Sequence, residues 1–303
     1  MSQTAPTAEA NADLRQGLLF GLAAYGMWGF LPAYYKLTDT VPADIVVSHR
    51  ILWSVLFVGL FLYVRGRWSE VRDVFRQPKV LMSLTASACF IAVNWLVFVW
   101  AISNNHVLDI SLGYFINPLV SILVGLAVLH ERLTKGQAIA VGIAVLAVAL
   151  QAVLAGGLPW VSLVLAFSFA GYGYVRKVTP VKATPGLLVE TLLLLPFAAG
   201  YVLLNLAWGV DSLVLNEPPV LLALAGTGIV TALPLICFSS AARRLPLFML
   251  GLMQYLAPSL HFLMAVYLWG EPLDQTKLMA FAMIWAALVI FSYDSWRRYR
   301  RTA

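Results

Sequence analysis

Few groups in this 303-residue chain can ionise inside an apolar run. Each costs about 2.5–3.5 kcal/mol there on insertion scales, so each is a functional candidate. His49 and Arg50 lie in the run from Ala43 to Val64, and Glu190 lies in the run from Pro185 to Asn205. A guanidinium suits a carboxylate or another anionic group, and a carboxylate suits an amine or a proton. At 1.5 Å per residue, Arg50 and Glu190 each sit roughly 9 to 10 Å inside a ~30 Å core, entering from opposite faces. Two readings follow. Either both border one central cavity and receive substrate, or they form structural ion pairs that only hold helices together.

Polar and aromatic residues accompany them. One run carries Asn94, Trp95 and Trp100, the next opens at Asp109 and carries Tyr114 and Asn117, and a later one carries Gln254, Tyr255 and His261. Amides, indoles and phenols of this kind suit a pocket for an amphipathic organic molecule, and equally suit hydrogen bonds between membrane helices. The candidate substrate-binding set is therefore Arg50, Glu190, Asn94, Trp95, Tyr114, Asn117, Gln254 and Tyr255. Glu190, Asp109 and His49 are the groups whose titration could couple the site to protons, whereas His261 reads as a packing residue. Pro118 and Pro258 interrupt apolar runs and are candidate hinges. Glu131 and Glu271 stand at the ends of those runs, where a helix dipole disfavours an anion, so each needs a partner; Arg132 or Lys135 would serve Glu131. They are candidate gates or caps.

Enzymatic patterns are absent. There is no nucleophile elbow, HExxH pair, P-loop or aspartate-rich diphosphate motif, and Cys89 and Cys237 have no Cys or His at metal-ligand spacing. No cofactor and no metal are expected. One reading of these residues is a non-transporting membrane-embedded enzyme or a metabolite sensor.

The elements that must position these residues follow from composition. Hydrophobic residues make up 61% and charged residues 11%, far from the soluble average of about a quarter charged. Ten apolar runs are long enough to span: Gln16 to Tyr35, Ala43 to Val64, Val80 to Ala101, Leu108 to Leu129, Gly136 to Leu154, Pro159 to Val175, Pro185 to Asn205, Pro219 to Ala241, Leu247 to Gly270 and Lys277 to Tyr293. Residues 1–15 read as a disordered cytoplasmic tail and 295–303 as a basic cytoplasmic tail. With both termini inside, 17 of the 20 Lys and Arg fall on the cytoplasmic side, as the positive-inside rule requires. These bases orient the chain, and their small clusters offer no extended face for nucleic acid.

An internal ruler divides the runs. At an offset of 140 residues, Pro118 falls on Pro258, Leu123 on Leu263, Glu131 on Glu271, Leu133 on Leu273 and Arg50 on Glu190. Residues 16–154 and 157–294 then form two repeats of five helices. An odd number inverts the second repeat, the arrangement of secondary transporters with a site near the midplane.

Several stretches carry a resemblance over about Arg15 to Asp294: RQGLLFGLAAYGMWGFLPAYYKL, VPADIVVSHRILWS, NWLVFVWAISNNHVLDISLGYFINPLVSILVGLAVLHERL, FSFAGYGYVRK, LLVETLLLLP and GIVTALPLICFSSAARRL. The chain resembles the drug/metabolite transporter superfamily, in its EamA-type branch and the RarD, or chloramphenicol-sensitive protein, group. The resemblance implies an all-α membrane protein of ten transmembrane helices in two inverted repeats, with helices 5 and 10 outside a cavity. It implies an inner-membrane permease moving a small organic metabolite or drug-like amphiphile outward by alternating access. Expected partners are that substrate, protons as the candidate coupling ion, and the lipid bilayer; a monomer is expected, with a dimer as the alternative. A different five-plus-five fold, such as a bile-acid-symporter-like one, would instead show broken, crossed helices 4 and 9 with a Na⁺ pocket.

Overall fold

In lipid no water satisfies backbone amides, so apolar runs fold as helices that close their own hydrogen bonds. The computed structural model describes residues 8–38, 40–104, 106–154, 158, 160–208, 217–268 and 275–302, and every regular element among them is helical. The order is α1 (Ala8–Tyr35), a 3₁₀ turn (Lys36–Thr38), α2 (Ala43–Val64), α3 (Trp68–Phe75), α4 (Pro78–Ser103), α5 (Val107–Ala127), α6 (Lys135–Leu154), α7 (Trp160–Val178), α8 (Ala183–Ala207), α9 (Pro218–Ala242), α10 (Leu247–Gln254), α11 (Leu256–Tyr267) and α12 (Gln275–Thr302). Among the described residues, six stretches are long and apolar enough to cross a membrane, in α2, α4, α6, α8, α9 and across α10 and α11. The chain is a multi-pass membrane protein.

The N-terminal tail differs from expectation in its helical part. Residues 8–15 continue α1 as helix, and Asp13 there meets Arg244 at 3.0 Å, which anchors the extension to the end of α9. At the other end α12 runs to Thr302 without a break at the arginines. The sequence reading also has no counterpart for α3, an eight-residue amphipathic helix that buries Val71 and Val74.

The prolines act unequally. α5 runs continuously through Pro118, and α8 and α9 continue through Pro196 and Pro234. The ninth span is interrupted at Tyr255. Pro258 has no N–H for the carbonyl of Gln254 and crowds it, so the hydrogen-bond ladder slips there. The Tyr255 amide bonds Leu252 at 3.2 Å, one residue short of the regular step, and its backbone stays helical. A continuous α5 and a one-residue slip do not make the crossed pair of broken helices of the alternative fold.

Packing is pairwise and close. α7 lies against α4 and α5, α1 against α9 and α11, α2 against α8 and α9, and α10 against α5. α6 and α12 pack mainly on each other, through Ala140, Ala144, Ala280 and Ala287, and Thr134 Oγ1 donates to Asp294 Oδ2 at 2.6 Å to close one end. Small residues permit the approach of helices. A Cβ on Gly228 of α9 would lie 2.5 Å from the Trp53 carbonyl carbon of α2. Next to that contact, the Ser54 hydroxyl donates to the Gly228 carbonyl at 3.4 Å.

This contact is testable. Gly228→Val overpacks backbone against backbone and should cost about 1–3 kcal/mol, read as a lower unfolding temperature of the detergent-solubilised protein. Gly26→Ala, where nothing lies within 4 Å, should leave that temperature unchanged. Equal effects at both positions would contradict the packing.

Candidate functional site

Arg50 projects from α2 at the level where α9 and α4 approach. Its Nε donates to Thr231 Oγ1 of α9 at 3.0 Å. The guanidinium lies 4.9 Å from the ring centre of Trp95 on α4 and 5.5 Å from that of Tyr35 at the end of α1. Tyr114 of α5 lies within electrostatic reach of Arg50 and is 42% exposed, while Arg50 is half-buried. Among the described residues no carboxylate lies within 4 Å of this guanidinium. Its positive charge is held by two π faces and one hydroxyl, arrangements that stabilise a cation without neutralising it. The buried face of α2, through Ile51, Ser54 and Val58, fixes the helix rotation that delivers Arg50 there.

Glu190 does not share this site. It is buried in the third turn of α8, and its Oε1 accepts from Arg176 Nη1 of α7 at 3.3 Å. Arg176 also donates from Nε to Ser239 Oγ of α9 at 3.0 Å and from Nη2 to the Ala183 carbonyl at 3.1 Å. Gly186 makes room, because a Cβ there would stand 2.2 Å from the guanidinium. The expectation that Arg50 and Glu190 border one cavity is thus corrected for Glu190: it belongs to a clamp that joins α7, α8 and α9. Arg176, read from sequence as one of the orienting bases at a helix end, is 1% exposed. The hairpin between α7 and α8 is only Thr179 to Lys182 long. It lays a base near the end of one helix beside an acid two turns into the next, a signal present in the sequence.

Glu131 finds neither Arg132 nor Lys135. Beyond the end of α5 the chain reverses at His130, whose φ of 53° is left-handed, and the Glu131 amide bonds the Gly125 carbonyl at 3.0 Å. The carboxylate then accepts from the amides of Leu247 at 2.7 Å and Phe248 at 3.0 Å, the first residues of α10. An anion there satisfies orphan N–H groups and favours the helix dipole. Lys177 Nζ stands 3.8 Å from it and donates to the Leu245 carbonyl. Glu131 therefore caps a helix of the other half of the chain. Glu271, its expected counterpart, lies outside the described residues.

The remaining candidates divide. Trp95 and Tyr114 join Arg50. Asn94 donates to the Leu165 carbonyl and to Ser168 Oγ, and so ties α4 to α7. Tyr255 donates to the Phe115 carbonyl at 3.1 Å and is 1% exposed, a bond between α5 and the kink of the ninth span. Asn117 and Gln254 are buried in the same packing, away from any open surface. Pro118 sits in a continuous helix, with its carbonyl close to Gly251 of α10, and Pro258 marks the slip. Asp109 is held by His106 Nδ1 at 2.8 Å, and His106 stacks on Trp100. His49 is buried in α2. His261 Nε2 donates to the Trp28 carbonyl at 3.0 Å, as a packing residue would. Sequence reasoning missed Thr231 and Tyr35 as partners of Arg50. Thr231, which with Thr227 interrupts the apolar run around GTGIVTALP, was the available signal. Among the described residues no group of His, Cys, Asp and Glu is placed to hold a metal ion.

The clamp has a measurable worth. Arg176→Met or Glu190→Leu alone leaves one buried charge uncompensated and should cost about 3–5 kcal/mol, whereas the double variant should recover much of the loss. Thermal unfolding in detergent reads this. Independent, additive losses would contradict a coupled pair.

Comparison with known proteins places this geometry. A profile of the EamA-like transporter family matches residues 15–153. Protein RarD of Escherichia coli strain K12 is 45% identical over 289 residues, covering 95% of this chain and 98% of its own. An uncharacterized transporter of Pseudomonas aeruginosa is 46% identical over 295 residues, with 96% and 98% covered. A chloramphenicol-sensitive protein RarD of that species is 35% identical over 294 residues, with 95% and 97% covered. A crystal structure at 19% identity superposes with a TM-score of 0.67 over 93% of this chain and 98% of that one, a likeness of fold alone. With relatives this similar along nearly its whole length, the chain belongs to the EamA-like transporter family, in its RarD group, and is a membrane transporter.

Proposed function

We propose that this transporter is a permease for a small organic anion with an aromatic or otherwise apolar body, and that Arg50 receives the anionic group while Trp95, Tyr35 and Tyr114 face the body. The carrying observation is the charge of Arg50, which is retained on π faces and a hydroxyl with no described carboxylate beside it. A cation kept inside a span at such cost is explained by a ligand that completes it.

The reading includes alternating access between two inverted five-helix repeats in an inner membrane, with both termini cytoplasmic. Pair packing supports the repeats. Under the 140-residue offset, α4 on α7 maps to α9 on α1, and α5 on α7 maps to α10 and α11 on α1, while α2 on α8, α5 on α10 and α6 on α12 map onto themselves. The bond from Tyr255 to Phe115 links positions 140 apart. Closure at one end supports a single opening toward Arg50. There, α8 is buried from Ala183 to Thr191 and α10 along its full length; Arg176 ties α7 to α8 and α9, and Glu131 with Lys177 holds the start of α10. Outward direction rests on the family resemblance.

Counterflow in liposomes containing only this protein tests the proposal. Aromatic carboxylates should be carried in preference to their amides, and Arg50→Gln should lower carboxylate flux at least about tenfold, the loss of one charge-assisted bond of 1.5–3 kcal/mol. Folded yield, followed by size exclusion, should stay near that of the parent, because Thr231 and the rings remain able to pack. Undiminished carboxylate flux in a folded Arg50→Gln protein would sink the assignment of Arg50.

A further inference from the structure

Between the outer side of α2 and α3, which itself packs on α8 and α4, runs a groove apart from the surroundings of Arg50. It measures about 750 Å³ and is lined by Leu56, Gly59, Leu60, Tyr63, Trp68 and Arg72. The wall on α2 is apolar and open, with Leu56 58% and Leu60 64% exposed. Gly59 forms a notch, since a Cβ there would meet only Leu188 Cδ1, at 3.9 Å. At the end toward α3 the character changes to Tyr63, Trp68 and Arg72, an aromatic pair with a base, the composition of a membrane interface.

Charge at that end is unbalanced in a definite way. The connection from α2 to α4 carries Arg65, Arg67, Arg72, Arg76 and Lys79 against Glu70 and Asp73. Glu70 accepts from Arg67 at 2.8 Å and from Lys182 at 2.8 Å, and Asp73 faces Arg76 at 3.8 Å. The Arg67 guanidinium and then Lys182 hold the Glu70 carboxyl down to about 2, so it stays an anion committed to those bases. Both acids of α3 are thus engaged elsewhere. Among the described residues no carboxylate lies within 4 Å of the Arg72 guanidinium, and Arg72 lines the groove. An occupant must be apolar along α2 and negative at one end.

We infer that this groove is a binding site for one phospholipid of net negative headgroup, with an acyl chain lying along Leu56, Gly59 and Leu60 and the phosphate at Arg72, beneath Trp68. A zwitterionic lipid would place its own cation beside Arg72 and gain less. A free phosphate would lack the apolar half. The site would seat α3 on α2 through a lipid, independently of what Arg50 carries.

Native mass spectrometry of the purified full chain, titrated with dioleoyl phosphatidylglycerol, dioleoyl phosphatidylcholine and glycerol 3-phosphate, tests this. The parent should retain one phosphatidylglycerol in preference to phosphatidylcholine, and glycerol 3-phosphate should not bind detectably. Arg72→Gln should reduce the preference about fivefold, the worth of one base near an anionic surface. Gly59→Leu, which fills the notch, should weaken retention of both lipids while leaving any preference. Arg76→Gln, whose base serves Asp73 instead, should match the parent. Size exclusion confirms that each variant is folded, as expected for Arg72 and Arg76, which are exposed, and for Gly59, which is half-buried with room beside it. A preference unchanged by Arg72→Gln, lost equally with Arg76→Gln, or reproduced by glycerol 3-phosphate would overturn the site.

Discussion

A charge inside an apolar bundle must be met by other groups of the chain, and Arg176 shows how far that requirement reaches. Each of its three nitrogens is engaged: one on Glu190, one on Ser239, one on the Ala183 carbonyl. The three acceptors lie on two helices other than its own, so the relative placement of α7, α8 and α9 is fixed by one side chain. Much of what surrounds it is arranged to let it in, from the missing side chain at Gly186 to the short hairpin that brings Ala183 into reach. Around this point the packing of small residues completes the bundle, but the register of three helices is set by polar geometry.

Arg50 is the contrast. It occupies the same kind of medium, and it too reaches a hydroxyl of α9, yet its remaining nitrogens face aromatic rings instead of a carboxylate. A guanidinium over indole and phenol keeps much of its field, whereas one against a carboxylate loses it. The two arginines therefore differ in what is left over after the protein's own contacts. Residue type is equal; what separates them is the charge left unspent, little of it at Arg176 and most of it at Arg50.

The sequence was most informative where a rule forces one answer. The bounds of α2 coincide with its apolar run from Ala43 to Val64, since lipid leaves that stretch no alternative to helix, and Arg50 with Trp95 and Tyr114 was identifiable from polar residues in such runs. It was least informative where chemistry depends on a partner. Glu190 was matched to Arg50 by repeat arithmetic, but depth along a helix says nothing of which face a side chain takes, and Arg176 was nearer. Glu131 was assigned a neighbouring base, yet a reversal at His130 turns it toward backbone amides 116 and 117 residues away. The helix α3 was hidden because its charges resemble a loop, although Val71 and Val74 already mark one face.

The cap at α10 has a mechanical side. Glu131 belongs to the connection after α5, and the amides it satisfies begin a helix of the second half of the chain. Drawing the two apart by even a few ångströms would strip the carboxylate of two donors and leave two N–H groups without their acceptor in the same movement, with only Lys177 still beside the anion. Such a contact behaves like a detent: stiff against small displacement, and offering no resistance once released.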